Sequence, residues 1–344
     1  MRESVLQIGI VGAGTWGENH ARIYQAMPGC RVTAICDQDR GKASDLAQRL
    51  GVEDCFDDYH ELIRQGDIDA VAIVTPDFAH ADIAIAAADA GKHMLIEKPL
   101  ATTRDDVVRM LDAITRSGVR AMVDLHNRWS PPFNAAHALV ESGELGEPYS
   151  AYFRLNDRRW VATDMLPWAA RSSIMWFLGS HSLDTLRWFF GDEVVRVHCI
   201  ARKGILSEQG VDTTDIYQSN LEFARGGIAQ MENGWITPNG HPNLNDIKFN
   251  MQCTRGSVAI DGTNHNLIQC FTDQGTTVPD VLVQNRVFGR PTGFAFESIR
   301  SFVECLMTGE DFKLTVQDAA NGVLAVLAIK ESAKTRQPVE VEYL

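Results

Sequence analysis

Apolar residues in the first third of the chain follow two alternating rhythms. Short, continuous apolar or β-branched runs at Leu6–Val11, Val32–Cys36, Ala70–Val74, His93–Ile96 and Arg120–Val123 have the length of strands buried on both faces. Between them, the stretches around Asn19–Gln25, Lys42–Leu50, Ile83–Ala90 and Thr103–Arg116 carry apolar residues at helical spacing. The last of these opens with Thr102 and Thr103 ahead of Asp105 and Asp106, an N-cap followed by acids in the first turn. Strand and helix in strict alternation predict βαβ units around a parallel sheet. After Asp124 the texture changes. Tryptophan-rich segments lead to a predicted helix over Ile174–Phe190, and alternating runs at Tyr217–Phe223, Gly227–Asn233 and Val258–Asp261 predict a mostly antiparallel sheet. A helix over Ala319–Lys334 closes the chain. The expected architecture is α/β with two domains, residues 1–124 and 125–344, and Pro131-Pro132 lies near their boundary.

The first strand runs directly into Gly12-Ala13-Gly14-Thr15-Trp16-Gly17, a G-x-G-x-x-G turn opening a helix, and Asp37 follows 25 residues after Gly12 at the end of the second strand. This is the dinucleotide-binding fingerprint of a Rossmann domain. Gly12 permits the tight turn, Gly14 lets backbone approach a pyrophosphate, and Gly17 lets helix pack on strand, with free N–H groups at the helix start holding the anion. A carboxylate at Asp37 suits the two ribose hydroxyls of NAD. It would repel the 2′-phosphate of NADP, for which Arg40 is the one nearby counter-argument. Trp16 flanks nicotinamide or pyrophosphate or else packs internally, and His20, one turn on, reads as a structural histidine.

Composition narrows the remaining choices. The chain has 344 residues, 45% of them apolar, and a formal net charge of −13, which disfavours sequence-independent contact with nucleic acid or anionic lipid. Seven dispersed cysteines without a C-x-x-C pair suggest neither a zinc ribbon nor a secreted disulfide framework. Arg2 and Glu3 precede an apolar run, Val5 to Val11, that ends in glycines rather than at a cleavage-site pattern, and no run reaches the roughly 18 apolar residues of a membrane span. A cytoplasmic protein is the expectation. His60, His80, His93 and His126 lack helical i, i+4 partners, so no metal site is expected.

Two further segments point to a particular family. Thr75-Pro76-Asp77-Phe78-Ala79-His80 precedes Gly91-Lys92-His93, which leads into Glu97-Lys98-Pro99; Gly179-Ser180-His181-Ser182-Leu183-Asp184 lies in the second domain. Together with Asn127-Arg128-Trp129, the run Glu141 to Pro148 and the Gln337-Pro338-Val339 ending, they resemble the glucose-fructose oxidoreductase, inositol dehydrogenase and MocA (Gfo/Idh/MocA) family over essentially the whole chain. The resemblance implies a large open sheet in the second domain that supports a homodimer or homotetramer. It also implies reversible hydride transfer between NAD(P) and a hydroxyl-bearing carbon of a sugar, polyol or sugar acid.

Residue by residue, it implies that Lys98 and His181 are catalytic, Lys98 by donating to the reacting oxygen and His181 as acid/base. Thr75, Pro76, His80, Glu97 and Lys98 would join Gly12, Gly14, Thr15, Trp16, Gly17 and Asp37 at the cofactor, with Glu97 fixing the ribose or orienting Lys98, and the peptide before Pro99 cis. Arg128, Trp129, Asn156, Trp168, Arg171 and Asp184 would line the substrate pocket with Lys98 and His181. The arginines, with Arg158, make an anionic sugar attractive as substrate. One position departs from the family. Polyol-oxidising members usually carry an aspartate four residues before the histidine, where this chain has Phe177. Asp157, Asp164 or Asp184 could supply the missing carboxylate, or the substrate is more easily oxidised. A non-catalytic NAD or sugar sensor, and NAD-assisted glycoside hydrolysis, are the rival readings.

Overall fold

The structure is a computed structural model that describes residues 5–263 and 267–344. Arg2 and Glu3 lie outside the described residues. Contacts divide the chain into two units: one runs to His126 and takes in Gln284–Val323, and the other comprises Asn127–Val283 and Leu324–Leu344.

The first unit is built on six parallel strands: β1 (Leu6–Val11), β2 (Cys30–Cys36), β3 (Asp54–Phe56), β4 (Ala70–Ile73), β5 (His93–Glu97) and β6 (Ala121–Asp124), in the order β3-β2-β1-β4-β5-β6. The order reverses between β1 and β4, the switch point at which doubly wound sheets bind ligands beyond their carboxyl ends. The helices α1 (Thr15–Gln25), α2 (Arg40–Leu50), α3 (Tyr59–Gln65), α4 (His80–Asp89) and α5 (Arg104–Ser117) connect these strands. Strands β4 and β6 are buried at every residue, as continuous apolar runs require. The N-cap of α5 is Thr103, whose hydroxyl accepts the Asp106 N–H at 3.1 Å, and α5 ends at Gly118 with φ +68°.

Two elements between β2 and β4 are absent from the expectation. The β3 strand is three residues long, too short to show a period, and α3 behind it spans two turns.

The second unit begins with α6 (Pro131–Glu141) and contains α7 (Ser180–Phe190) and a seven-stranded sheet. Its longer strands are β7 (Pro148–Asp157), β8 (Val194–Arg202), β9 (Ile216–Phe223), β10 (Ile228–Gly234), β11 (Asn245–Cys253) and β12 (Ser257–Asp261); Val339–Glu340 pairs with β8. All neighbours are antiparallel except β7 and β10. Buried and exposed residues alternate cleanly along β9, so one face packs and the other is open. Phe133 of α6, Phe189 of α7, Phe153 of β7 and Phe249 of β11 meet with ring centroids 4.6–6.3 Å apart and form the centre of this core.

One helix of the 125–344 stretch packs in the first unit rather than the second. The helix α8 (Phe294–Thr308) lies against α1 and β6, and Ser298 donates to Asp124 Oδ1 at 2.5 Å. Just before β6, Arg120 donates to the Cys305 carbonyl at 2.6 Å and lies over the Phe312 ring. The last helix, α9 (Val316–Thr335), contributes Ser332 to the second unit, where its hydroxyl accepts the Cys199 N–H at 2.9 Å.

Candidate active site

The glycine loop follows β1 directly. Gly12 has φ +109°, a conformation that side chains oppose, and a Cβ there would stand 2.2 Å from the Val74 carbonyl oxygen. On Gly17 a Cβ would stand 1.8 Å from the Gly12 carbonyl oxygen, so loop, strand and helix close only without side chains at both places. Gly14 is different. It is exposed at the N-cap of α1, no side chain caps the helix, and nothing lies within 4 Å of where its Cβ would be. With Thr15 also exposed, the first N–H groups of α1 face open space at the positive end of the helix dipole, a cradle that fits a pyrophosphate.

Asp37, just past β2, accepts the Ala13 N–H through Oδ2 at 2.8 Å and the Asp39 N–H through Oδ1 at 2.9 Å. Two backbone donors therefore fix this carboxylate and tie it to the glycine loop, and each oxygen keeps a second acceptor position for a ribose hydroxyl. Arg40 is exposed and pairs with Asp57 at 3.2 Å. Two residues grouped above with the cofactor contacts have other partners. Trp16 packs on Phe296 of α8, ring centroids 6.2 Å apart. His80 is fully buried, with Nδ1 2.8 Å from the Pro99 carbonyl and Nε2 3.0 Å from the Thr75 carbonyl. Its ring therefore acts through the backbone, joining the turn at Thr75-Pro76 to Pro99, whose peptide bond with Lys98 is cis.

Glu97 ends β5 and is buried. His20 Nε2 lies 2.9 Å from Glu97 Oε1, and the nitrogen facing a carboxylate carries the proton; His20 Nδ1 in turn faces the Tyr24 hydroxyl at 3.3 Å. Glu97 Oε2 accepts the Lys98 backbone N–H at 3.3 Å. Burial opposes charge on Glu97, but the His20 hydrogen bond and the charges of His20, Lys98 and His126 outweigh it and hold the carboxyl at about 2. Asp124, at the end of β6, is driven the other way: burial first, then the charge of Glu97, raise it well above the carboxylate range. Burial also lowers His126 to about 4, where the positive charges of Lys98 and His20 oppose protonation and Glu97 favours it. One side-chain nitrogen or oxygen of each of His20, Glu97 and Asp124 lies within 4.8 Å of the others. Spacing in the sequence could not reveal this group because its members come from α1, β5 and β6.

In the second unit, a π turn over Met175–Gly179 runs into α7 and presents His181 on its first turn, 3% exposed. Asn233 pins α7 to the sheet, donating to Ser182 Oγ and to the Leu155 carbonyl, both at 2.9 Å. Phe177 stands edge-on to Trp168 and to Trp235, with centroids 6.4 and 5.9 Å away. Several of the candidate pocket polar groups, by contrast, are engaged by other protein groups. Arg128 forks onto Asp184, Nε to Oδ2 at 3.0 Å and Nη2 to Oδ1 at 2.6 Å, so Asp184 does not stand as an open carboxylate and Arg128 brings no net charge. Asn156 donates to Glu232 at 2.8 Å, Asp157 accepts from Asn245, and Asp164 is exposed beside Thr163. Arg158 donates to the Asn239 and His241 carbonyls, Arg171 is exposed, and Trp129 is half-buried. Of the arginines named above, Arg128 is thus paired with a buried carboxylate.

Comparison with known proteins agrees with the two-part architecture. The model for the "Oxidoreductase family, NAD-binding Rossmann fold" matches residues 6–125, and that for the "GFO/IDH/MocA C-terminal domain" matches residues 133–259. The chain is 26% identical to the NAD(+)-dependent scyllo-inositol 2-dehydrogenase of Bacillus subtilis, over 99% of this chain and 97% of that protein. It is 29% identical to levoglucosan dehydrogenase of Pseudarthrobacter phenanthrenivorans, over 77% and 75%. In fold it is similar to scyllo-inositol dehydrogenase of Lactobacillus casei, solved with NAD(H) and scyllo-inositol: TM-score 0.83, 22% identity, 98% and 99% of the two chains. No helix among the described residues is long and apolar enough to cross a membrane. The fingerprint loop with its open Gly14 cradle, the parallel sheet followed by a mostly antiparallel one, and matches to both halves establish that the chain belongs to the Gfo/Idh/MocA family of NAD-dependent oxidoreductases.

Proposed function

We propose that the chain oxidises a secondary hydroxyl on a ring polyol or sugar, with residues 1–124 carrying the cofactor groups and 125–344 the substrate groups. The observation that carries this reading is the position of Lys98. It follows β5 at the sheet edge that also bears the glycine loop, Asp37 and Thr75, and its backbone N–H is held by the ionised Glu97. The nicotinamide, when bound, accepts the hydride. The Lys98 ammonium donates to the substrate oxygen and stabilises the negative charge that grows there as the C–H bond breaks, and the His181 imidazole takes the hydroxyl proton. Gly14 and Thr15 would cradle the pyrophosphate of a bound dinucleotide, and Asp37 would accept hydrogen bonds from its ribose hydroxyls. Phe177, held between Trp168 and Trp235, offers an aromatic wall for the apolar face of a ring in place of a hydrogen-bonding carboxylate. Scyllo-inositol and levoglucosan, named in the relatives, are ring compounds of this kind. With Arg128 neutralised by Asp184, a neutral substrate is favoured over a sugar acid.

The finer parts of the reading are a homodimer or homotetramer formed through the open face of the second sheet, where Ile200 and Ile228 are exposed, and a cytoplasmic location, supported by seven unpaired cysteines. Light scattering after size exclusion tests the first. The catalytic reading is tested by Lys98→Met and His181→Ala on a polyol that the wild type oxidises. Each should lower kcat by about 10²–10⁴ with NAD binding retained. Wild-type turnover in either variant would remove that residue from the mechanism.

A further inference from the structure

Glu97 and Asp124 are register partners on neighbouring parallel strands, and both are buried. One carboxylate oxygen of each lies with His20 Nε2 inside a 4.8 Å cluster. Two carboxylates this close and this dry disfavour each other's ionisation, because the second charge would meet both the first and the cost of leaving water. The donors around the pair decide which one keeps the proton. Glu97 has His20 Nε2 at 2.9 Å and the Lys98 N–H at 3.3 Å, whereas Asp124 has the Ser298 hydroxyl at 2.5 Å and only the more distant His126 Nδ1 at 3.8 Å and His20 Nε2 at 3.9 Å. The donor-rich partner holds the charge.

We propose that Asp124 is a positioning residue for Lys98, acting as a neutral acid that links Ser298 of α8 to the Glu97 carboxylate. Its O–H donates toward Glu97 and its carbonyl oxygen accepts from Ser298, so Glu97 is gripped from three sides and the backbone N–H that precedes the Lys98 side chain is fixed with it. The proposal rests on the reading of Lys98 given above. The raised titration of Asp124 and the lowered titration of Glu97 agree with it. The groups facing the pair are His20 and Tyr24 of α1, Lys98 after β5, His126 after β6 and Ser298 of α8.

The test uses the full chain loaded with NAD and a polyol it oxidises. Asp124→Asn keeps a carbonyl for Ser298 and an N–H donor for Glu97, and should hold kcat within about twofold of wild type with an unchanged pH profile. Asp124→Leu should lower kcat about tenfold to a hundredfold, leave the KM for NAD within about threefold, and shift the pH profile. Ser298→Ala, a milder change, should move the profile in the same direction. Infrared difference spectroscopy of wild type against Asp124→Asn at pH 7 should show the band of a protonated carboxyl in the wild type alone. An Asp124→Asn variant as slow as Asp124→Leu, a wild-type profile in Ser298→Ala, or no protonated carboxyl band would each overturn the proposal. If Asp124→Leu does not fold, Ser298→Ala and the infrared band decide. Lys98→Met is run in parallel: full activity there sinks the reading of Lys98 while the band still reports on Asp124, and a dead Lys98→Met beside an active Asp124→Leu sinks the Asp124 role alone.

Discussion

The glycine loop of the first unit and the π turn before α7 in the second both set candidate functional groups, but with opposite parts of the chain. At the loop the backbone is what counts: a Cβ on Gly12 or Gly17 would strike a carbonyl oxygen, and Gly14 opens onto free space. At the π turn and α7 the side chains count instead, through the Arg128–Asp184 fork, the Asn233 clamp on Ser182 and the aromatic trio around Phe177. A backbone site leaves its mark as glycine spacing. A side-chain site is defined by which distant residues meet, and spacing says little about that.

The sharpest way to break this contrast is Arg128→Met. It leaves Asp184, 1% exposed, without its cation, and unfolding should cost about 3–5 kcal/mol less in denaturant melts. A double variant with Asp184→Leu should regain much of that, and a single variant as stable as wild type would show that the fork contributes nothing. In the first unit the matching experiment is Gly17→Ala, which adds one methyl group and removes no side-chain contact. The methyl would meet the Gly12 carbonyl, so about 3 kcal/mol of stability should go, and calorimetry should find NAD affinity reduced with it.

His126 sharpens the contrast through pH. Its folded value is about 4, below the ordinary histidine value of about 6.5, so the folded chain binds fewer protons between those limits. Its contribution is complete above about pH 6.5 and is lost as pH falls toward 4. Melting curves of His126→Gln should therefore lack up to about 3 kcal/mol of the acid-side loss seen in the wild type. Asp37→Ala has the smallest expected effect. It removes the acceptor for the Ala13 N–H, costs about 1–2 kcal/mol, and narrows the preference for NAD over NADP in paired titrations; an unchanged preference would disconnect Asp37 from the ribose.

The parallel sheet was readable because its strands are continuous apolar runs and its helices carry caps such as Thr103. The short β3 and the helix α8 were not: one has no period to detect, and the other lies in sequence among the strands of a different unit. Within the candidate site, Gly12, Gly14, Gly17, Asp37 and the Glu97-Lys98-Pro99 run could be named from motif and position. The use of His80 as a backbone pin could not, because it depends on a partner 19 residues away, and the packing role, one of the two open to Trp16, turns on Phe296, 280 residues away. Arg128 and Asp184 were each named as substrate-pocket candidates. That they cancel each other is a fact of three-dimensional pairing, invisible to a count of charges.

The contact between Ser298 and Asp124 spans 174 residues of sequence. During synthesis at about 5–20 residues per second, the nucleotide-binding sheet is complete roughly 10–35 s before its closing helix α8 has emerged. Over that interval the carboxyl end of β6 and the flank of α1 await their cover, and the intervening chain must fold in the meantime as a long insertion. The nascent protein thus passes through a stage with a finished sheet and an open wall, the stage at which a chaperone would find the most to hold.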